Sequence, residues 1–245
     1  MTATYVYGLV PADAELPDDL VGLGPSGSVS VVAHEGVAAV VGDVPTDRPI
    51  GTRDDLVAHE SVVDRIAAVT TVLPMRFPAV IEDSSVVEEL LAPHHETFAR
   101  GLEALEGTVQ YTLKARYDTD VLLQEILEED AGAWELQERI RGKDSDAAYY
   151  DRVKLGELIV KALEKRREVD ATDIVERIGE VAEAVSTTTP TEPEEVVNAA
   201  FLVRRDAAEE FENEVEELGG DTHEWLRLRL LGPLAPYDFV PRGEE

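Results

Sequence analysis

Apolar and polar positions change period several times along the chain. Residues 4–10, TYVYGLV, form an apolar run of strand length, stopped by Pro11. A loop rich in Asp, Gly and Pro follows to Gly27. The next segment, SVSVVAHEGVAAVVGDV, predicts a hairpin with strands 28–33 and 37–44 around His34-Glu35-Gly36. Thr52 to Asp55 offers helix-start residues, and Leu56, Val62, Val63, Ile66 and Val69 recur at helical spacing. A strand over 71–80, TVLPMRFPAV, comes next. Asp83, Ser84 and Ser85 then supply caps for a second helix, with Val87, Leu90, Leu91, Phe98, Leu102 and Leu105 on its apolar face. Pro93 should break or kink that helix, and Gly107 ends it.

The second half repeats the mixture. Residues 108–117, TVQYTLKARY, alternate between Val109, Tyr111, Leu113, Ala115 and Tyr117 on one face and Thr108, Gln110, Thr112, Lys114 and Arg116 on the other. One face is buried and the other meets water or a partner. From 119 to about 186 the pattern is helical and charged, with interruptions at Gly132 and Gly142–Ser145 and a last stripe of Ile174, Ile178, Val181 and Val185. After a polar loop, TTTPTEP, a strand at 197–205, a helix at 206–218, a strand at about 224–231 and a tail from 232 are expected. The fold class is therefore α+β: two domains, 1–106 and 107–245, each a small, mostly antiparallel sheet with helices on one face. The arrangement is a modified ferredoxin-like one, with a long helical insertion in the second domain.

Within 71–80, strand parity puts Leu73, Met75, Phe77 and Ala79 on a core face and Pro74, Arg76 and Pro78 on the other. Pro74 and Pro78 remove backbone donors along one edge, so the strand belongs at the margin of its sheet. Arg76 is either a structural clamp to carboxylates or carbonyls, or a contact for a partner protein.

Charge changes the picture. There are 52 acidic residues against 22 basic ones, a net charge of −30, and only five of the basic residues are lysines. Such a field repels nucleic acid and anionic lipid. It suits concentrated salt, where the Debye length falls to about 3 Å and self-repulsion fades, so a halophilic source is expected. With 245 residues and 44% hydrophobic composition, real cores are affordable. The absence of cysteine excludes disulfides and thiolate metal sites. No apolar run reaches the ~20 residues of a membrane helix, and TYVYGLV does not resemble a leader, so a cytoplasmic chain is expected.

Chemical motifs are thin. Gly22-Leu-Gly24-Pro-Ser-Gly27 fits G-x-G-x-x-G, but a strand rather than a helix follows, so no dinucleotide site is implied. His59-Glu60 begins a zinc-protease pattern whose second His is replaced by Val63. Asp55 and His59 are spaced to pair on a helix, while His94 and His95 diverge by about 100°. No nucleophile elbow or P-loop occurs. Lys165-Arg166-Arg167 and Arg204-Arg205 read as surface ion-pairing groups, the latter docking against an acidic neighbour. Nothing here supports an enzyme.

Several landmarks, in order over nearly the whole chain, resemble the gas vesicle protein F/L family: Tyr5 to Val10, Val37 to Val44, Val72 to Phe77 (VLPMRF), Gly107 to Lys114, Ala200 to Val203, and Gly232 to Val240 (GPLAPYDFV). Pro78 stands where that family usually has Gly, Leu234 replaces a Trp, and Ala235 a Pro. The resemblance implies two α+β domains, no catalysis and no cofactor or metal. It also implies a role in gas-vesicle formation: binding the small hydrophobic shell protein, limiting its aggregation, joining other accessory proteins, and residing as a minor vesicle component and in the cytoplasm. Candidate contact or structural residues on these motifs are Pro74, Arg76, Phe77, Lys114, Arg116, Phe201, Gly232, Pro233, Pro236, Tyr237 and Phe239. The competing reading is a small-molecule enzyme or sensor on a ferredoxin-like scaffold.

The salt expectation is tested by circular dichroism. Cooperative melting should appear in molar NaCl and be lost at about 50 mM NaCl; full cooperative folding at the lower salt rejects it.

Overall fold

The computed structural model describes residues 3–24, 26–44, 48–81, 86–144, 147–222 and 224–240. The expected caps Asp83, Ser84 and Ser85, together with Pro25, Ser145 and the last five residues of the tail, lie outside these. The chain forms two compact units. One holds the residues up to Tyr111, Leu202–Asp206 and the residues from Leu231 on; the other holds Thr112–Phe201 and Ala207–Leu230.

In the first unit, β1 (Thr4–Pro11) lies beside β3 (Val37–Asp43), which pairs with β2 (Val29–His34). His34 pairs with Val37, leaving a two-residue turn in which Glu35 (φ 48°) and Gly36 (φ 93°) both take positive φ. Those signs match the primed hairpin turn that suits strand twist. On the other side of β1 run the short strands β4 (Leu73–Pro74) and β5 (Val80–Ile81), both antiparallel to it. The sheet order is β2-β3-β1-β4, with β5 also on β1.

The 71–80 segment is thus marginal, but it is two short strands rather than one. Met75 N–H donates to Tyr7 O (3.0 Å) and Val6 N–H to Ala79 O (2.9 Å), and no ladder contact with β1 is made from Arg76 to Pro78. Strict parity fails with the ladder: Val72, Leu73 and Pro74 are all buried, while Met75, Phe77 and Ala79 are half-buried.

Helix α1 (Arg53–Ala67) begins at a capping box, Thr52 with Asp55. Its buried stripe is Asp55, His59, Val62, Val63 and Ile66. Leu56 and Val69, expected on that stripe, are 37% and 59% exposed. The stripe packs on Tyr5, Tyr7, Ala38, Val40 and Val72. A π-turn at Val87–Leu91 leads into α2 (Ala92–Ala104), as expected where Pro93 deprives the preceding turn of a donor. Residues Tyr5 to Val10 of β1 are buried without a break, which requires cover on both faces. α1 covers one face; α2, whose Gly101 sits against the Leu73 side chain, lies on the other. The α+β class and antiparallel sheets match the sequence reading, with helices on two faces here instead of one.

The second sheet has the order β7-β8-β6-β9, formed by β6 (Thr108–Tyr117), β7 (Ala184–Thr187), β8 (Glu195–Arg204) and β9 (Leu226–Leu234). In the second unit, α3 (Thr119–Glu129) and α4 (Ala131–Ile140) divide at Asp130, whose carboxylate accepts from Gly132 and Ala133 N–H. Helix α5 spans Tyr149–Gly179 and α6 spans Ala208–Thr222. The helical pattern expected to reach 186 stops at Gly179. Val185 belongs to β7, where the β-branched Val185 and Thr187 favour an extended chain and Thr188 N–H reaches Asn198 O (2.9 Å). Phe201 is fully buried against Phe211 of α6, ring centres 5.5 Å apart.

In the first unit, β9 presses against β6 at Gly232. Its φ is +149°, and an added Cβ would fall 2.5 Å from Tyr111 Cδ1. Gly232→Ala should therefore cost about 1–3 kcal/mol. Gly220→Ala, in α6 with open space around it, should gain up to about 1 kcal/mol. Thermal melts of both variants check the pair of signs.

Candidate functional site

His59 lies at the centre of the first unit, 1% exposed. Its Nδ1 is 3.0 Å from the Tyr5 hydroxyl; its Nε2 is 3.0 Å from Met75 O and 2.9 Å from the Tyr237 hydroxyl. A carbonyl only accepts, so Nε2 carries the proton and Tyr5 O–H donates to Nδ1. Burial lowers the imidazole pKa and raises those of Tyr5, Tyr7 and Tyr237, keeping the whole cluster neutral. The rings of Tyr7, Phe77 and Tyr237 stand 5.9, 5.8 and 6.1 Å from that of His59. Tyr7 O–H is also the acceptor for Leu23 N–H (2.7 Å).

The Asp55–His59 pair suggested by spacing is not what forms. Asp55 accepts two bonds from Arg48 (2.7 and 2.5 Å) and further ones from Gly51 and Thr52. Arg48 above all holds its carboxyl well below the usual carboxylate range. The imidazole instead joins three segments far apart in sequence.

One of those segments is the tail. Ala235 N–H donates to Asp64 Oδ1 (2.8 Å), and burial raises the Asp64 pKa. Asp238 and Gln110 exchange two hydrogen bonds, at 3.1 and 2.7 Å. Ala235 is fully buried in the core built on Tyr5, Tyr7 and α1. Arg205, expected to meet an acidic group, instead places its guanidinium on the carbonyls of Ala67 and Thr70 (2.6 Å to the latter), where a cation complements the C-terminus of α1. Its neighbour Arg204 does pair with a carboxylate, Asp206 (2.9 Å).

The structure thereby brings together the VLPMRF and GPLAPYDFV motifs. Pro74 and Pro236 are buried, Phe77, Tyr237 and Phe239 half-buried, and Arg76, Pro78, Gly232 and Pro233 exposed. The Arg76 side chain makes no hydrogen bond or ion pair among the described residues, so it clamps nothing there. A buried polar hub thus underlies a small surface with an exposed guanidinium, a proline and two aromatic edges.

The remaining candidates lie in the second unit. Phe201 is a core residue. Lys114 and Arg116 are exposed on β6, and Arg116 ion-pairs with Glu192 and Glu194 (2.9 Å to the latter). Two cations on β9 share that exposure, Arg227 and Arg229. Arg227 bonds Asp118 (2.6 Å), the residue after β6, and Asp118 N–H meets Trp225 O (2.8 Å). Continuing that antiparallel register sets Arg116 opposite Arg227 and Lys114 opposite Arg229. Elsewhere, His95 donates to Glu35 O (2.8 Å) and His94 sits by Phe98.

In the sequence, His59 reads as part of an incomplete zinc pattern or as a surface or helix-packing His, and neither reading identifies a hub. The available signal was its place at the Asp55–Val62–Ile66 spacing, on the face α1 buries.

The sequence pattern of the family described as "Gas vesicle synthesis protein GvpL/GvpF" matches residues 3–241. The chain is 34% identical over 244 residues to gas vesicle protein F of Streptomyces sp. (strain CB03234), covering 97% of this chain and 99% of that one. It is 28% identical to gas vesicle protein L1 of Halobacterium salinarum over 229 residues, 87% of this chain and 81% of that one. The fold matches the crystal structure of gas vesicle protein GvpF from Anabaena sp. PCC7120 with a TM-score of 0.80, at 23% identity and full coverage of both chains.

The hub makes a pH prediction. With the His59 pKa lowered in the folded state, the unfolded chain binds the extra proton. The stabilising contribution is complete above the ordinary imidazole pKa and fades as pH falls below it. Stability should drop on going from pH 7.5 to 5.5 by up to about 1.4 kcal/mol per pH unit. The drop should flatten in His59→Gln, and the difference between the two urea-melt series isolates His59 from carboxylates such as Asp64. Tyr237→Phe should cost about 0.5–1.5 kcal/mol at neutral pH.

Proposed function

We propose that this chain, which belongs to the gas vesicle synthesis protein GvpL/GvpF family, is a non-catalytic accessory protein that binds the small hydrophobic shell protein during vesicle assembly. In this reading it limits shell-protein aggregation, recruits other accessory proteins and stays as a minor vesicle component. The observation that carries the reading is the family match over 3–241, which includes both motifs that meet at His59.

The geometry supports a contact role for the surface above that hub. Arg76 projects from a segment anchored by Pro74 and Met75, beside the half-buried Phe77 and the exposed Pro78. An aromatic and an arginine on a rigid base are the residue types that dominate protein contacts. A net charge of −30 adds repulsion between its complexes where salt is dilute, and in molar salt that repulsion is screened within about 3 Å. A general base at His59 is disfavoured, because both ring nitrogens are engaged and the ring is closed to solvent. No helix among the described residues is long and apolar enough to cross a membrane.

The test is shell-protein turbidity at working salt, with and without this chain. Wild type should suppress it, and the role fails if turbidity is unchanged. Arg76→Ala should keep its melting behaviour within about 0.5 kcal/mol yet suppress less per folded molecule. Loss of stability with suppression intact would return Arg76 to a structural role.

A further inference from the structure

Helix α5, the loop after β7 and the start of β8 enclose a cleft of about 470 Å³ in the second unit. Ala171, Val175, Val196 and Val197 give it an aliphatic wall; Thr187, Thr188, Thr189 and Asn198 add hydroxyl and amide groups. Arg167 lines it too. Among the described residues, Arg167 Nε is the one buried side-chain nitrogen or oxygen without a hydrogen-bond partner, and its guanidinium enters no ion pair. The neighbouring Arg166 shows the contrast, with Glu125 at 2.5 Å, Asp170 at 3.4 Å and the Trp225 ring at 4.9 Å.

We propose that this cleft captures the C-terminal carboxylate of a polypeptide that ends in an aliphatic residue. Buried donors are paired in folded proteins, and a carboxylate against a guanidinium supplies the strongest pairing available to this one. Carboxylates are abundant in this chain, yet none among the described residues is placed on Arg167. Glu168 and Glu176 line the same cleft. They disfavour phosphate and other multiply charged anions and leave room for a single negative charge. The valine wall accepts the terminal side chain. The threonines, together with β7 as the outermost strand of its sheet, offer hydrogen bonds to the peptide's amides, as in other modes of terminal-carboxylate and edge-strand recognition. The inference goes beyond shell-protein binding and does not require it.

Acetyl-leucyl-valine with a free carboxylate is the probe, titrated into the full chain and followed at the backbone amides of Thr188 and Asn198 by NMR. Saturable shifts are expected, with affinity at least about tenfold weaker for the peptide amide and for Arg167→Gln. Lys161→Gln, an exposed change on the same helix, should bind as wild type does. Arg167→Gln should melt no lower than wild type, because it removes an unpaired donor. No shifts up to about 10 mM peptide, equal binding of the amide, or unchanged binding by Arg167→Gln overturns the proposal. Isovalerate binding as tightly as the peptide overturns it as well, making the cleft a site for small carboxylates.

Discussion

The first unit depends on a neutral imidazole held from both of its nitrogens. His59 is enclosed by Tyr5, Tyr7, Phe77 and Tyr237, so neither nitrogen can turn to water for a partner. Each must be satisfied from within the chain. The partners lie 54, 16 and 178 residues away in sequence. β1, the 75–77 segment and the tail are thereby tied to one side of α1. An apolar residue at 59 would fill the space without specifying which segments meet there.

The tail completes this unit rather than trailing from it. Ala235 enters the apolar core, Asp64 accepts its N–H, and Asp238 exchanges bonds with Gln110. Arg205 adds a cation at the last turn of α1. Early and late segments of the chain therefore close one core, and two of the motifs shared with the family, VLPMRF and GPLAPYDFV, are neighbours because of it. This arrangement presents Arg76 and Phe77 on a fixed base, which a contact surface needs if binding is not to spend free energy on ordering it.

Charge shapes the second unit differently. Arg166, Arg177 and Arg116 each engage two carboxylates. The planar five-donor fork of arginine serves such double pairing, which a lysine ammonium does not match. Exposed pairs of this kind contribute little to stability individually. Arg167 stands apart from this pattern on the same helix, turned to an aliphatic cleft.

Local patterning alone determined much of this protein. The hairpin at Glu35-Gly36, the Thr52 cap, the Pro93 disturbance and the alternation of β6 from Thr112 to Tyr117 follow from residue chemistry acting over a few positions, whereas Thr108 and Gln110, read on the open face of that strand, are buried. The short motifs likewise sufficed to place the chain in its family. Tertiary structure alone decided that 71–80 is two strands with Arg76 outside the ladder, that Val185 leaves the helical pattern for β7, and that both faces of β1 are covered. It alone decided what His59, Arg205 and Arg167 do. Those outcomes depend on pairing between residues tens to hundreds of positions apart. A buried donor takes whichever acceptor the fold brings near, and spacing along the chain carries no record of that choice.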